Sequence, residues 1–331
     1  MTAAGPTLRV GIDIGGTKTH GVVLDETGAI VEHWRSPTGF GAREVVATAA
    51  AAVVGLAQQC AVEPSTFDSI GIGIPGRVDS RTGHVAHAVN LGVDDLDLGA
   101  QLAALLGRSV TVENDVNAAA LGAHHLLAPR QSRSMAYLNL GTGLAAGLVL
   151  DGSLWRGARG VAGEIGHIPV DPRGDLCACG QRGCLETLAS GSALARLWPE
   201  GVVGGRPPRA SELFAAAETG ALAAQRAADR IVENIAAAVR ILVLTVDVDA
   251  VVIGGGLSSL GAPLLGGVRA RLSADARTSP FLASLDLGDR IVLVPEGVDV
   301  AAVGAVFVGA ATLPPSPAVP RSAHLAPEVP V

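Results

Sequence analysis

Residues 8–24 have the sequence LRVGIDIGGTKTHGVVL, in which two apolar runs flank a glycine turn. The first run predicts a β-strand, Gly15-Gly16-Thr17 a turn and Gly21–Leu24 a returning strand, so the stretch predicts a β-hairpin with a glycine tip. Asp13 and Lys18 flank bare glycine backbone, whose amide N–H groups can approach phosphate oxygens without obstruction by Cβ atoms. Taken alone, an ordinary hairpin turn explains the stretch equally well.

The same pattern returns in residues 136–150, which read AYLNLGTGLAAGLVL. Ala136–Leu140 predicts a strand, Gly141-Thr142-Gly143 the glycine tip, and Ala145–Leu150 the returning strand. A single turn of this kind is weak evidence for phosphate binding, but its recurrence in the second half of the chain indicates one motif used twice. Two such hairpins facing each other across a cleft would hold one triphosphate between them.

A third glycine turn, Gly254-Gly255-Gly256, follows the predicted strand Ala250–Ile253 and precedes a predicted helix. Glycines at a helix N-terminus allow the close approach of an adenosine or its phosphates. A simple turn is the alternative interpretation. The Walker A pattern, Gly-x-x-x-x-Gly-Lys-Ser/Thr, does not occur in the sequence.

The polar tripeptide Glu113-Asn114-Asp115 stands between a predicted strand, Ser109–Val112, and a predicted helix, Asn117–Leu127. In an open α/β sheet, side chains at such a junction project into the ligand crevice. Asp115 is therefore the candidate general base, which would accept the proton of an attacking sugar hydroxyl group. The alternative is that Asn114 or Asp115 only caps the following helix.

A cluster of metal-ligand residues follows. His167, Cys177, Cys179 and Cys184 supply one imidazole and three thiolates, the ligands of a closed tetrahedral zinc site. Free buried thiols are the alternative, because Cys-x-Cys is tighter than the common zinc spacing. Cys60 stands apart and is interpreted as a plain buried thiol.

The predicted zinc site would also gather carboxylates. Glu164 precedes His167 by three residues and Glu186 follows Cys184 by two, so closure of the site would bring both glutamates to one region. Such acceptors suit a polyhydroxyl substrate, and His167 would bind zinc through one ring nitrogen and a sugar hydroxyl through the other. A solvated surface role for both glutamates is the alternative.

Composition limits the remaining possibilities. A chain of 331 residues suits two domains. The net charge of −7 argues against partners such as nucleic acid or an anionic membrane. Neither a signal peptide nor an apolar run long enough to cross a bilayer is apparent, and four cysteines are too few for a disulfide scaffold, so we expect a cytoplasmic protein. The proline-rich segment 313–331 is expected to be disordered.

In order and spacing, from residue 8 to about residue 312, five motifs resemble the ROK sugar kinases of the bacterial glucokinase type: Asp13–Lys18, Gly73–Gly76, Glu113–Asp115, Gly163–His167 and Cys177–Glu186. The resemblance implies an α/β fold of the actin-like (ribonuclease H-like) ATPase class, with two lobes and ATP and Mg²⁺ in the cleft between them. It divides the chain into a small lobe, residues 1–117, completed by about residues 300–312, and a large lobe, residues 118–299, with the zinc site and an oligomer interface. A homodimer or a dimer of dimers is expected on this resemblance only.

The resemblance also assigns roles by matching position. Asp115 would be the base, and Asp13 would orient Mg²⁺ through water. Phosphates would be cradled by Gly16, Thr17, Thr142 and Gly143. The residues that would contact the sugar are Asn90, Asn114, Asp115, Glu164, His167 and Glu186, and the zinc ligands would be His167, Cys177, Cys179 and Cys184.

Two departures from the family pattern affect specificity. The second phosphate turn continues as Leu144-Ala145-Ala146-Gly147 where relatives usually have another glycine, and Asn90-Leu91 is followed by Gly92-Val93-Asp94 without the tryptophan of many glucokinases. We expect phosphorylation of glucose at its 6-hydroxyl group. Kinases for N-acetylglucosamine, N-acetylmannosamine or fructose, or with polyphosphate as donor, are alternatives.

Two further classes of protein are disfavoured alternatives. A repressor of the same family would need a winged-helix segment before the first hairpin, and only about seven residues precede it. A non-catalytic sugar sensor or an actin-like assembly protein would not need Asp13, Asp115 and both phosphate turns together.

Overall fold

The computed structural model describes residues 7–129 and 132–310. The predicted tail, residues 313–331, and the last two residues of the segment 300–312 that is expected to complete the small lobe lie outside these ranges. Among the helices of the described residues, none combines the length and the apolar content that a membrane span requires.

Thirteen strands and ten α-helices form within these ranges, together with short 3-10 helices. The strands are β1 (Arg9–Ile14), β2 (Lys18–Leu24), β3 (Ile30–Pro37), β4 (Ser69–Ile74), β5 (Arg77–Asp79), β6 (His84–Ala88), β7 (Val93–Asp97), β8 (Thr111–Asn114), β9 (Met135–Leu140), β10 (Leu144–Leu150), β11 (Ser153–Leu154), β12 (Ala250–Gly254) and β13 (Ile291–Leu293). The helices are α1 (Ala42–Gln59), α2 (Leu98–Leu106), α3 (Asp115–Leu127), α4 (Glu186–Ala189), α5 (Leu194–Leu197), α6 (Ala210–Glu218), α7 (Leu222–Val246), α8 (Ala262–Thr278), α9 (Pro280–Ala283) and α10 (Val300–Ala310).

Two five-stranded sheets share one topology. Their orders are β3-β2-β1-β4-β8 and β11-β10-β9-β12-β13. In both, the first three strands in sequence pair antiparallel and the last two add in parallel. The repeated glycine hairpins predicted from the sequence are β1–β2 and β9–β10, so each hairpin begins one sheet. A small antiparallel sheet, β5-β6-β7, completes the strands of the described residues.

Each sheet has its own apolar core. The central strands are buried on both faces, as is typical of parallel pairs covered by helices, and every residue of β4 is buried. One cluster joins α1 and α2 to the first sheet, and another joins α7 and α8 to the second. Helix α10 packs on β1, β4 and α3, and α3 also packs on β9 and β10. Helix α3 therefore contacts both the second sheet and the helix that covers the first.

Glycines allow the close packing of α10. A Cβ atom on Gly71 of β4 would overlap the carbonyl oxygen of Ala305, and one on Gly304 would overlap the carbonyl oxygen of Ala118 in α3. Both obstacles are backbone atoms, which cannot move aside as a side chain can. The backbone of α10 therefore lies directly against β4 and α3.

The structure corrects the bounds of predicted elements and adds strands that were not predicted. The strand predicted at Ser109–Val112 is β8, Thr111–Asn114, and the helix predicted from Asn117 begins at Asp115. The sheet β5-β6-β7 and strand β3 were not predicted, because β5 to β7 are short and polar and β3 has partly or fully exposed residues along its whole length. The lobe boundary at residues 117 and 118 stays a prediction.

Candidate active site

The carboxyl ends of β1, β4 and β8 meet at one edge of the first sheet. Their parallel register pairs Asp13 with Gly73 and Gly73 with Glu113. Gly73 lies between Asp13 and Asp115. A Cβ atom on Gly73 would be 3.6 Å from Asp13 Oδ1 and 3.6 Å from the Cα atom of Asp115, so both residues border the same position. Two predicted site carboxylates from distant parts of the sequence thus lie at the same edge.

Asn114 caps helix α3, which begins at Asp115. Its Oδ1 accepts hydrogen bonds from the backbone N–H groups of Val116 at 3.0 Å and Asn117 at 3.3 Å, and its Nδ2 donates to the Gly76 carbonyl at 3.1 Å. The capping role considered as an alternative is therefore carried by Asn114. Only the second Nδ2 hydrogen of Asn114 remains for its predicted contact with a sugar.

Burial shifts the titration of both carboxylates. It raises the pKa of Asp115 to about 6, and the nearby Glu164 carboxylate adds to the increase against hydrogen bonds from the helix backbone. Burial also raises the pKa of Asp13 well above its ordinary value, with further contributions from Asp115 and Asp299. A carboxylate with a pKa near 6 is ionised at neutral pH yet basic enough to accept a proton.

The first glycine turn lies beside the predicted sugar-side asparagine. The Gly15 N–H donates to the Lys18 carbonyl at 3.0 Å and closes the hairpin, and the Thr17 carbonyl accepts from Thr38 N–H at 3.1 Å. A Cβ atom on Gly16 would lie 3.4 Å from the Cβ atom of Asn90. The structure therefore brings Asn90 to the tip of the first turn, where Gly16, Thr17 and Lys18 are exposed to solvent.

The second glycine turn is held by the segment that follows the cysteines. Gly141 and Thr142 accept backbone hydrogen bonds from Gly191 at 2.8 Å and Ser192 at 3.2 Å. The Glu186 carboxylate accepts from Leu144 N–H at 3.1 Å, directly after the turn. Glu186, predicted as a sugar contact, thus also lies against the predicted phosphate turn, which sequence spacing did not indicate.

The third glycine turn borders a cavity of about 460 Å³ between β12 and the start of α10. Gly255 lines this cavity with a φ of 82°, a left-handed conformation that favours glycine. Gly254 is buried, and a Cβ atom on it would overlap the Tyr137 hydroxyl group. A nucleotide contact is therefore supported for Gly255 and not for Gly254. Gly256 faces open space.

Sequence reasoning missed Tyr137 and Asp299, which line the same cavity. Asp299 precedes α10 and accepts from Ala302 N–H at 3.1 Å, while its other oxygen lies 2.7 Å from His20 Nδ1. Burial opposes ionisation of Asp299, but these hydrogen bonds outweigh it and lower its pKa. An aspartate just before an apolar helix is an N-cap signal that could have identified it.

His167, Cys177, Cys179 and Cys184 converge. Their potential ligand atoms all lie within 4.8 Å of one another. The Cys179 and Cys184 sulfurs are 3.7 Å apart, as are the Cys177 sulfur and His167 Nδ1. Ligands of a tetrahedral zinc with Zn–S bonds of about 2.3 Å would be separated by about 3.7 Å. The four residues therefore fit a tetrahedral metal ion, with Nδ1 as the ring nitrogen that faces it.

Glu164 follows a turn that requires glycine. Gly163 has a φ of 91° and its carbonyl accepts from Ala146 N–H of β10 at 2.8 Å, which places Glu164 beside the second sheet. Glu164 is exposed, and its charge acts on Asp115 as described above. Carboxylates from both sheets therefore approach each other.

Comparisons with known proteins agree with this geometry. The ROK family profile matches residues 9–306. A glucokinase from Halalkalibacterium halodurans is 34% identical over 282 residues, which are 81% of this chain and 86% of the relative. The crystal structure of a ROK hexokinase from Thermus thermophilus has a TM-score of 0.78 at 34% identity and covers 92% of this chain and 98% of its own.

A second solved structure carries ligands. It is a ROK family glucokinase from Streptomyces griseus in complex with glucose and AMPPNP, with a TM-score of 0.73 at 32% identity, covering 92% of this chain and 99% of its own. These likenesses confirm the predicted α/β actin-like fold class with two lobes.

Proposed function

The chain belongs to the ROK family, and on this basis we propose that it is an ATP-dependent glucokinase, which transfers the γ-phosphoryl group of ATP to the 6-hydroxyl group of glucose. The observation that carries the proposal is the position of Asp115. Its carboxylate, with a pKa of about 6, stands at the edge of the first sheet and within electrostatic reach of Glu164 from the second. A base placed beside sugar-side acceptors is what phosphorylation of a hydroxyl group requires.

In this mechanism Asp115 accepts the proton of the attacking hydroxyl group. General-base help of about 10²–10⁴-fold corresponds to roughly 3–5 kcal/mol of barrier. Asn90, Glu164, His167 Nε2 and Glu186 would bind the other hydroxyl groups and orient the sugar. Phosphoryl transfer otherwise depends on in-line positioning and neutralisation of charge, which closure of the cleft would complete.

The nucleotide would span the cavity at Gly255 and the two hairpin turns. Backbone N–H groups of Gly16, Thr17, Thr142 and Gly143 would hold its phosphates. Asp13 fits a role toward Mg²⁺, because the negative charges of Asp115 and Asp299 both act on its carboxylate, and a cation bound there would offset this repulsion. Mg²⁺ bound through water to Asp13 would neutralise the charge of the transferred group.

We propose that the cluster of His167, Cys177, Cys179 and Cys184 binds one structural zinc ion. The ligand separations support this assignment, as does a donor set of three thiolates and one imidazole. The metal would fix the loop between Glu164 and Glu186. Both predicted sugar-binding glutamates would then depend on zinc for their positions.

For the assembly, we propose a small lobe of residues 1–117 completed by residues 300–312, and a large lobe of residues 118–299. The packing of α10 on β1 and β4 supports the return of the chain to the small lobe. A homodimer or homotetramer formed through the large lobe is proposed from family membership. Analytical ultracentrifugation would test it, and a monomer at micromolar concentration would contradict it.

A substrate panel tests the function. Formation of sugar phosphate is measured for glucose, N-acetylglucosamine, N-acetylmannosamine and fructose, each with ATP or polyphosphate. We expect glucose with ATP to give the highest kcat/KM. A preference for another pair would reassign the sugar substrate or the phosphoryl donor. Because the chain lacks the tryptophan that many glucokinases have soon after the residue matching Asn90, another sugar is the first alternative. If zinc-replete protein binds sugar but shows no turnover, the proposed kinase activity is refuted and a non-catalytic sugar sensor is favoured.

A further inference from the structure

Glu113 and Arg156 form an ion pair that the mechanism above does not use. Glu113 is 2% exposed, and Nε of Arg156 donates to its Oε2 at 2.6 Å. The Arg156 side chain is 22% exposed, so both charges are largely removed from water. A buried pair of this kind needs further hydrogen bonds to offset its desolvation, and loss of one partner leaves the other charge uncompensated.

The Glu113 carboxylate fixes the start of α3. Its Oε1 accepts hydrogen bonds from the backbone N–H of Asn114 and from Nδ2 of Asn117, each at 3.0 Å. These donors lie on either side of Asp115 in the sequence. Glu113 therefore holds the turn from which the proposed base projects.

Arg156 fixes the loop that carries Glu164. Its carbonyl accepts a hydrogen bond from Ala162 N–H at 3.2 Å, which closes the loop of residues 156–162. Gly163 follows at once and is bonded to β10 through Ala146 N–H. A displacement of Arg156 would therefore reach Glu164 through one short, closed loop.

We propose that Glu113 and Arg156 are a positioning pair for phosphoryl transfer. The pair connects Glu113, at the end of β8, to Arg156, just after β11. It thereby holds Asp115 and Glu164 at a fixed separation around the bound sugar. The inference rests on the proposed kinase function and deepens it. Both residues act through others, so neither is a catalytic residue.

An exposed ion pair provides the matched control. Arg133 and Asp151 pair at 3.2 Å at the edge of the second sheet, with side chains that are 78% and 82% exposed. Exposed pairs contribute little, because water screens them. Arg133→Ala removes an arginine and an ion pair without touching a link between proposed site elements.

The experiment compares the variants Arg156→Ala, Arg156→Lys, Glu113→Gln and the Glu113→Gln/Arg156→Ala double with wild type and Arg133→Ala. Steady-state kinetics are measured with varied sugar and with varied ATP, at a temperature well below the unfolding midpoint of each variant. We expect Arg156→Ala to lower kcat/KM for the sugar on the order of 10–100-fold, since small displacements of reacting groups have such effects. The KM for ATP should change far less. Arg156→Lys should recover part of the loss, because it keeps the charge without the fixed guanidinium geometry.

The double variant should lose no more than Arg156→Ala, since the two residues act as a unit. A lowered unfolding midpoint with unchanged kcat/KM would show a purely structural pair and overturn the inference, as would an equal kinetic loss in Arg133→Ala. If Arg156→Ala does not fold, Asn117→Ala removes one link to Glu113 without leaving a charge unpaired, and unchanged kcat/KM in that variant overturns the inference. Wild-type protein without kinase activity would instead refute the proposed function.

Discussion

Asp115 is largely but not fully removed from water, which favours its neutral form, yet it must lose its proton to act as a base; its pKa of about 6 allows both. Because only the ionised form accepts a proton, kcat/KM should fall as the pH decreases below about 6, with a slope of one on a logarithmic plot. Asp115→Asn should lower kcat by about 10²–10⁴-fold while sugar affinity changes little. Kinetics across the pH range and calorimetry with the sugar check this. Substantial kcat in the variant, or an acid limb near pH 4, would reassign the base.

Ionisation of Asp115, which raises activity, should lower the stability of the folded protein. Its pKa rises from 3.8 unfolded to about 6 folded, so the folded state binds the proton more tightly and the stability of the wild type falls as pH rises through this window. At about pH 7.5 ionised Asp115 would lower the free energy of unfolding by up to about 3 kcal/mol, and its partial exposure to water reduces this cost. Asp115→Asn should therefore raise the free energy of unfolding by about 1–3 kcal/mol.

Thermal unfolding of both proteins at about pH 7.5 and about pH 5 measures this gain, which should be about half as large at the lower pH. An Asp115→Asn variant that is less stable than wild type at the higher pH would contradict the assigned burial of this charge.

Helix α10 packs so closely on its neighbours that its nearest contacts leave no room for a side chain. A methyl group on Gly304 would meet the Ala118 carbonyl of α3, so Gly304→Ala should separate the two helices and destabilise the protein by about 2–3 kcal/mol. Gly266 in α8 is the control, since it is helical and exposed, and nothing lies within 4 Å of the position that its Cβ atom would take. Gly266→Ala should stabilise by about 0.5–1 kcal/mol through helix propensity. Denaturant unfolding measures both, and equal effects would show that α3 and α10 can adjust.

Elements with a strong apolar period could be predicted from sequence, and those shaped by tertiary contacts could not. Strands β9, β10 and β12 lie within one residue of their predicted bounds, because short apolar runs next to glycine turns define them locally. Strand β3 lies at the edge of its sheet and buries too little to show a pattern. The start of α3 was placed two residues late, because the sequence left the cap open between Asn114 and Asp115, and the bonds from the Val116 and Asn117 N–H groups identify Asn114.

At the scale of the whole molecule, the sequence predicted which motifs converge but not how they are joined. The convergence of His167 with three cysteines was predicted from the donor set, since one imidazole and three thiolates are the ligands of a closed zinc site. The bond from Leu144 N–H to Glu186 and the Glu113–Arg156 pair join residues more than forty positions apart, and no local pattern encodes them. The first bond connects a sugar-side glutamate to the second phosphate turn, and the ion pair connects the end of β8 to the segment after β11.

These connections give zinc removal a distinctive consequence. Glu186 lies two residues after Cys184 and accepts from Leu144 N–H beside the second phosphate turn, so loss of the metal should disturb both substrates. We expect Cys177→Ala to lose its zinc, since structural zinc depends on the complete ligand set, and to raise KM for ATP as well as for the sugar. Cys60→Ala, outside the cluster, is the matched control and should keep about one zinc per chain.

Elemental analysis and steady-state kinetics of the two cysteine variants separate the possible outcomes. Zinc content in Cys177→Ala equal to that of wild type would refute the metal site. Zinc loss that raises KM for the sugar alone would show that the phosphate turn keeps its position without Glu186. Zinc loss that raises both KM values, with Cys60→Ala unchanged, would establish that one metal ion positions both halves of the site, because the backbone of residues 184–186 is the shortest path from the thiolates to the turn.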